Sequence, residues 1–144
     1  MAVNLLNAEV RLINDSIKFS CTSGDNPPIV TDYYPPLGNN EGYTALEVFL
    51  VSLGSCTSGT VIPLLRKMRK TIKDYKMSLE GTRRSEHPTS LSKIVMKIFL
   101  KSNDITEADL DKAVSMAEEK YCPVWAMIKG NVAIERQYTI EKEE

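Results

Sequence analysis

Thr44-Ala-Leu-Glu-Val-Phe-Leu-Val-Ser-Leu-Gly-Ser-Cys-Thr-Ser-Gly-Thr-Val-Ile-Pro-Leu-Leu-Arg-Lys-Met-Arg-Lys70 is the stretch on which the fold turns. It opens with Thr44 and Glu47 at capping-box spacing, in which the Thr hydroxyl takes one free backbone N–H and the Glu reaches back for another. Leu46, Phe49, Leu50, Leu53, Val61, Leu64 and Leu65 then recur mostly at three- and four-residue steps, which predicts a helix. Its middle is crowded with small residues: Ser52, Gly54, Ser55, Thr57, Ser58 and Gly59. A helix with so thin a coat can lie close to another backbone or leave room for a pocket. Pro63 is expected to kink or split it. The basic ending, Arg66 to Lys70, suits a helix C-terminus. The apolar part, Ala45 to Leu65, is interrupted by Glu47, three Ser, two Gly and Pro63, so it reads as a buried helix and a poor membrane span.

On either side of this helix the period changes from helical to two. Ala8 to Leu12 alternates, Asn14-Asp15 marks a turn, and Ser16 to Thr22 alternates again through Ile17, Phe19 and Cys21, a hairpin pattern. Ser23 to Pro28 is a loop, Ile29 to Tyr33 a third strand. Tyr34 to Tyr43, rich in Pro, Gly and Asn, is a loop long enough to border a site. Downstream, Tyr75 to Arg83 and Ser92 to Lys101 are two longer strands joined by a turn containing His87-Pro88. Thr106 opens a second helix carrying Leu110, Ala113, Val114 and Ala117 toward Tyr121. Cys122-Pro123 breaks it, Pro123 to Ile128 is a short helix, and Asn131 to Ile140 a last strand. The order βββ-α-ββ-α-α-β is that of an α+β fold, with antiparallel sheets around central buried helices, and residues 1–144 read as a single domain.

Composition narrows the function. The 144 residues carry 18 Lys+Arg against 19 Asp+Glu, a formal charge of −1, which argues against a general nucleic-acid binder. Three widely spaced cysteines, with no CxxC pair, argue against a disulfide scaffold or a structural zinc site. Met1 to Val10 lacks the basic start and apolar core of a leader peptide. The expectation is a soluble cytoplasmic protein that needs no metal or cofactor and binds neither nucleic acid nor membrane.

Two cysteines stand in positions of chemical interest. Cys56 lies about three turns into the apolar helix, beyond the reach of its dipole, where a small buried thiol is also ordinary core. Cys122 precedes Pro and begins the short helix, where free N–H groups lower a thiol pKa. The two can form a redox couple if their Cα atoms come within about 7 Å.

The segment Leu46-Glu-Val-Phe-Leu-Val-Ser-Leu-Gly-Ser-Cys56-Thr57, the turn Glu80-Gly-Thr-Arg-Arg-Ser-Glu-His-Pro88 and the late Cys122-Pro-Val124, in this order, resemble the OsmC/Ohr family of osmotically inducible and organic-hydroperoxide-resistance proteins. The resemblance covers nearly the whole chain. It implies an intertwined homodimer that reduces organic hydroperoxides, with Cys56 as the peroxidatic and Cys122 as the resolving cysteine. An external dithiol, often a lipoylated protein in the family, then reduces the disulfide. Phe49, Leu53 and Met127 are candidates to line an apolar substrate channel, although the same residues serve equally as core.

The chain departs from the family pattern in two places. The characterised peroxidases carry a Glu ten positions before the reactive Cys, where this chain has Leu46; Glu47 is nine before it. Nine residues are about 13 Å along a helix and half a turn out of phase, so Glu47 can act only on a partner chain's site, and its capping role is explanation enough. The family's N-terminal Arg is also missing, since none lies between Arg11 and Arg66. Arg83 and Arg84 are the candidates to act across a dimer. Without a cation, Cys56 stays mostly a thiol near neutral pH. Besides a peroxidase, two readings therefore stay open: a dimer that binds a small apolar or thiol-reactive ligand, and a redox sensor without turnover.

Overall fold

In the computed structural model the apolar run folds as one helix, α1 (Ala45–Lys67). The structure describes residues 4–143; Met1–Val3 of the stretch read for a leader, and Glu144 of the charged tail, lie outside it. The capping box is present: Thr44 N and Oγ1 donate to Glu47 Oε1 at 2.8 and 2.9 Å, and Glu47 N donates to Thr44 Oγ1 at 3.3 Å. Pro63 does not split the helix. It stands near the C-terminal end and removes one hydrogen bond, the one to the Gly59 carbonyl. The Cβ direction of Gly59 faces open space, which leaves that turn room to adjust. By length and mean hydropathy, 1.7 over its most apolar window, α1 is long and apolar enough to cross a membrane. Here Leu53, Gly54, Thr57, Val61 and Leu65 form a buried stripe along it.

The chain divides into two compact units, residues up to Phe49 and residues from Leu50 onward. In the first, β1 (Glu9–Leu12), β2 (Phe19–Thr22) and β3 (Ile29–Thr31) form an antiparallel sheet in that order. The Asn14 side chain makes the first turn by accepting from Ser16 N at 2.9 Å and Lys18 N at 3.1 Å. Asp32, buried at the end of β3, shapes the Pro- and Asn-rich loop by accepting from the N–H groups of Tyr33, Asn39 and Glu41. Burial pushes its carboxyl upward, but these three bonds outweigh it and hold the group below the ordinary value. The strands of this sheet contribute no buried apolar side chain: Val10 is 65% exposed, and Leu12 and Ile29 are also on the surface. A three-stranded sheet on its own needs another layer to bury a face.

The second unit holds the core. β4 (Asp74–Arg83) and β5 (Leu91–Lys101) are antiparallel, followed by α2 (Glu107–Met116), a π-helical turn (Ala117–Tyr121), α3 (Pro123–Ile128) and β6 (Ala133–Glu141). The sheet order is β4-β5-β6. β6 runs parallel to β5, from Lys93 opposite Ala133 to Lys101 opposite Glu141, which corrects the expectation of purely antiparallel sheets. The intervening helices form a crossover long enough to return the chain in the same direction. β5 is central, and its alternating Ile94, Met96, Ile98 and Leu100 are buried together with Leu110 and Val114 of α2. On α1 the small residues permit close approach to β4. A Cβ on Gly54 would lie 2.7 Å from Leu79 Cδ1, and Ser58 Oγ hydrogen-bonds with the Tyr75 hydroxyl at 2.8 Å.

Candidate functional site: a cysteine pair between two helices

Cys56 and Cys122 meet. Their sulfurs are 2.9 Å apart, with the Cys122 thiol donating to Cys56 Sγ, so both thiols are within about 1 Å of the ~2.05 Å disulfide bond length. Cys56 is half-buried on α1 and Cys122 is buried, so Cys56 is the sulfur that solvent and a small molecule can reach.

Local structure explains how Cys122 arrives there. The π turn inserts one extra residue into the end of α2, and Cys122 N donates to the Ala117 carbonyl five residues back at 2.9 Å. Pro123 then holds Cys122 in extended backbone, φ −90° and ψ 103°, which makes it the N-cap of α3. The cap is a sulfur: Trp125 N donates to Cys122 Sγ at 3.4 Å, and Thr57 Oγ1 lies 3.7 Å from the same atom. Backbone N–H groups in the first turn of α3 thus face both sulfurs, since the Val124 N–H hydrogen-bonds to Cys56.

Burial, and then the second thiol beside it, push the Cys56 thiol above its ordinary value, and the Val124 N–H pulls only partly in the other direction. Among the described residues no Lys or Arg takes part in stabilising a Cys56 thiolate. The candidate cations lie at the β4–β5 hairpin. Arg83 binds its own hairpin turn, donating from Nε to the Thr89 carbonyl at 2.8 Å and from Nη2 to Thr89 Oγ1. Arg84 and His87 are exposed on the same turn. Glu47 takes both Thr44 bonds on one carboxylate oxygen, and the Thr44 N–H and then its hydroxyl hold its pKa below the ordinary value.

The expected channel residues differ in exposure. Leu53 is wholly buried core, Met127 is 77% exposed on α3, and Phe49 is half-buried. An open groove of about 440 Å³ instead lies along α1 one turn beyond Cys56, lined by Gly59, Thr60, Pro63, Leu64, Lys67 and Tyr121. Sequence reading passed over it, although Cys56, Thr60, Pro63 and Lys67 recur at helical spacing and Tyr121 adjoins Cys122. Cys21 is half-buried on β2 with its sulfur 3.6 Å from Thr31 Oγ1.

Known proteins similar to this chain are of two kinds. Protein YhfA of Escherichia coli K12 is 30% identical over 95 residues, which cover 66% of this chain and 71% of YhfA. The solved structure of a hypothetical protein from Aquifex aeolicus VF5 is 29% identical, with a TM-score of 0.84 over 99% of this chain and 100% of that one. The organic hydroperoxide resistance protein OhrB of Bacillus subtilis is more distant. It is 16% identical, with a TM-score of 0.66 over 96% of this chain and 100% of OhrB, a likeness of fold alone. The family model described as OsmC-like protein matches residues 38–136, a span that takes in α1, the β4–β5 hairpin and both members of the cysteine pair. The chain is a member of the OsmC-like family.

Proposed function

We propose that the chain is a thiol-dependent peroxidase that reduces organic hydroperoxides through Cys56 and Cys122. The observation that carries this reading is the 2.9 Å separation of the two sulfurs, one of them accessible. The Cys56 thiolate attacks the terminal oxygen of ROOH, the O–O bond breaks, and RO⁻ leaves and takes a proton as ROH. Cys56 is now a sulfenic acid. The Cys122 sulfur attacks the sulfenic sulfur, the S–S bond forms, and the hydroxyl leaves with the thiol proton as water. An external dithiol reduces the disulfide by two exchange steps and is itself oxidised to a disulfide; a lipoylated protein fits this role. The groove beside Cys56 offers Pro63, Leu64 and Tyr121 to the apolar R group. A cysteine pair that must be reduced again after each oxidation suits a reducing compartment such as the cytoplasm.

The test is thiol counting after a pulse of cumene hydroperoxide. The reduced protein should lose two thiols per equivalent of peroxide and keep consuming peroxide when dihydrolipoamide is supplied. Thiol loss at Cys56 no faster than in a free cysteine peptide would overturn the reading. One observation favours a second reading, a redox sensor: the raised Cys56 pKa with no cation beside it. A sensor shows one oxidation and no sustained consumption.

A homodimer belongs to the same proposal. The first sheet leaves Val10, Leu12 and Ile29 on its surface, and α1 leaves Val51 62% exposed, apolar area that a second copy would cover. Light scattering at micromolar concentration should give twice the chain mass of 16.1 kDa, and a monomeric mass there would remove any in-trans role for Glu47, Arg83 or Arg84.

A further inference from the structure

The π turn that delivers Cys122 is not self-supporting. It follows a regular helix, and its i to i+5 bonding displaces everything after it by about 100° around the axis relative to a continued α-helix. Without that displacement the residue before Pro123 would be turned by about 100° around the axis from its present direction. Such turns are rare, so something outside the turn must favour this one. The side chain in position is Glu118. Its Oε1 lies 3.4 Å from Arg136 Nη2 on β6, and its Oε2 lies 3.8 Å from Lys129 Nζ just past α3. Glu118 therefore ties the π turn to the sheet on one side and to the far end of α3 on the other, with Cys122 between. The Arg136–Glu118 pair is about three-quarters covered, its side chains 25% and 27% exposed, so water screens it less than a surface pair. Arg136 is itself fixed: its Nε lies 3.9 Å from Asp111 Oδ1, and the same oxygen accepts from the Tyr138 hydroxyl. Arg136 Nη1 is buried with no acceptor among the described residues. An unmet donor of this kind destabilises the fold, so Arg136 adds less to stability than a fully paired arginine.

We propose that Glu118, held between Arg136 and Lys129, is the positioning residue that keeps Cys122 opposite Cys56 in the reduced protein. This rests on the two cysteines being the redox pair. Clamping the π turn removes freedom from the Cys122 segment before the disulfide closes, so less is lost on closure and the effective concentration of one thiol at the other rises.

The equilibrium with dithiothreitol tests this without peroxide: Cys56–SH and Cys122–SH plus oxidised dithiothreitol give the protein disulfide plus reduced dithiothreitol. Glu118→Ala and Arg136→Met should each lower that equilibrium constant about tenfold, and Arg136→Lys, which keeps the cation, should restore it to within about twofold. A merely structural role would lower the melting temperature of reduced and oxidised forms alike and leave the constant unchanged. That result in folded Glu118→Ala and Arg136→Met overturns the proposal. Lys129→Met, at a half-exposed position that does not threaten the fold, should lower the constant two- to threefold, roughly in proportion to its weaker contact. If the larger variants fail to fold, an unchanged constant in Lys129→Met overturns the proposal in their place. A protein that is inert to hydroperoxide but shows these shifts would refute the peroxidase reading and leave the positioning role standing.

Discussion

Cys56→Ser is expected to lower hydroperoxide consumption by roughly a thousandfold or more, because a hydroxyl is a far weaker nucleophile than a thiol under the same conditions. Cys122→Ser should behave differently. Cys56 is still present, so one equivalent of peroxide is consumed and the protein stops as a sulfenic acid, about 16 Da heavier and reactive with dimedone. The fold gives a reason to expect Cys122→Ser to survive. Cys122 caps α3 through its sulfur, and a serine oxygen caps a helix better than sulfur does, so the Trp125 N–H keeps an acceptor. The reduced variant should therefore melt close to the parent temperature while losing turnover. Intact mass spectrometry and peroxide consumption measure both variants. Continued turnover in Cys122→Ser would show that the resolving thiol comes from elsewhere, and parent-like rates in Cys56→Ser would remove Cys56 as nucleophile.

Much of this site was legible in the sequence because its determinants are local. Thr44 and Glu47 announce the start of α1, and Cys122-Pro123 announces a helix break with a thiol at the next N-cap. The order of elements follows from the same signals, since alternation in Ile94 to Leu100 and helical spacing in Leu110 to Val114 are both facts of side-chain burial. What escaped the sequence depends on long-range pairing. The parallel register of β6 is fixed by the crossover of the helices, which no local pattern in Ala133–Glu141 encodes. The π turn escaped for a related reason. Ala117 to Tyr121 reads as ordinary helix, and Glu118 within it pairs with Arg136 and Lys129, both outside the turn. That Leu53 is buried while Met127 is exposed was also not legible, because apolarity alone does not say which face a residue takes.

The pH dependence of Cys56 decides how the pair works. A thiol with an ordinary pKa is about 3% thiolate at pH 7, and burial together with the neighbouring Cys122 thiol pushes Cys56 above that pKa, so its thiolate fraction is smaller still. The Val124 N–H favours the thiolate, but it is one amide against the loss of water around a half-buried sulfur. Only the thiolate attacks peroxide or an alkylating agent. While the pH lies below the pKa, each unit of pH therefore raises the reactive fraction about tenfold. The alkylation rate of Cys56 by iodoacetamide, followed by peptide mapping, is expected to climb steadily with pH and to level off at a higher pH than that of a free cysteine peptide. The rate of reaction with cumene hydroperoxide should follow the same slope, so that any peroxide reduction is slow at neutral pH. A plateau below about pH 8 would contradict this and require a cation from beyond the described residues of one chain, since among the described residues no cation takes part in holding Cys56 as thiolate. The slope thus separates a thiol activated across two chains from one that waits for alkaline conditions or for an oxidant in excess.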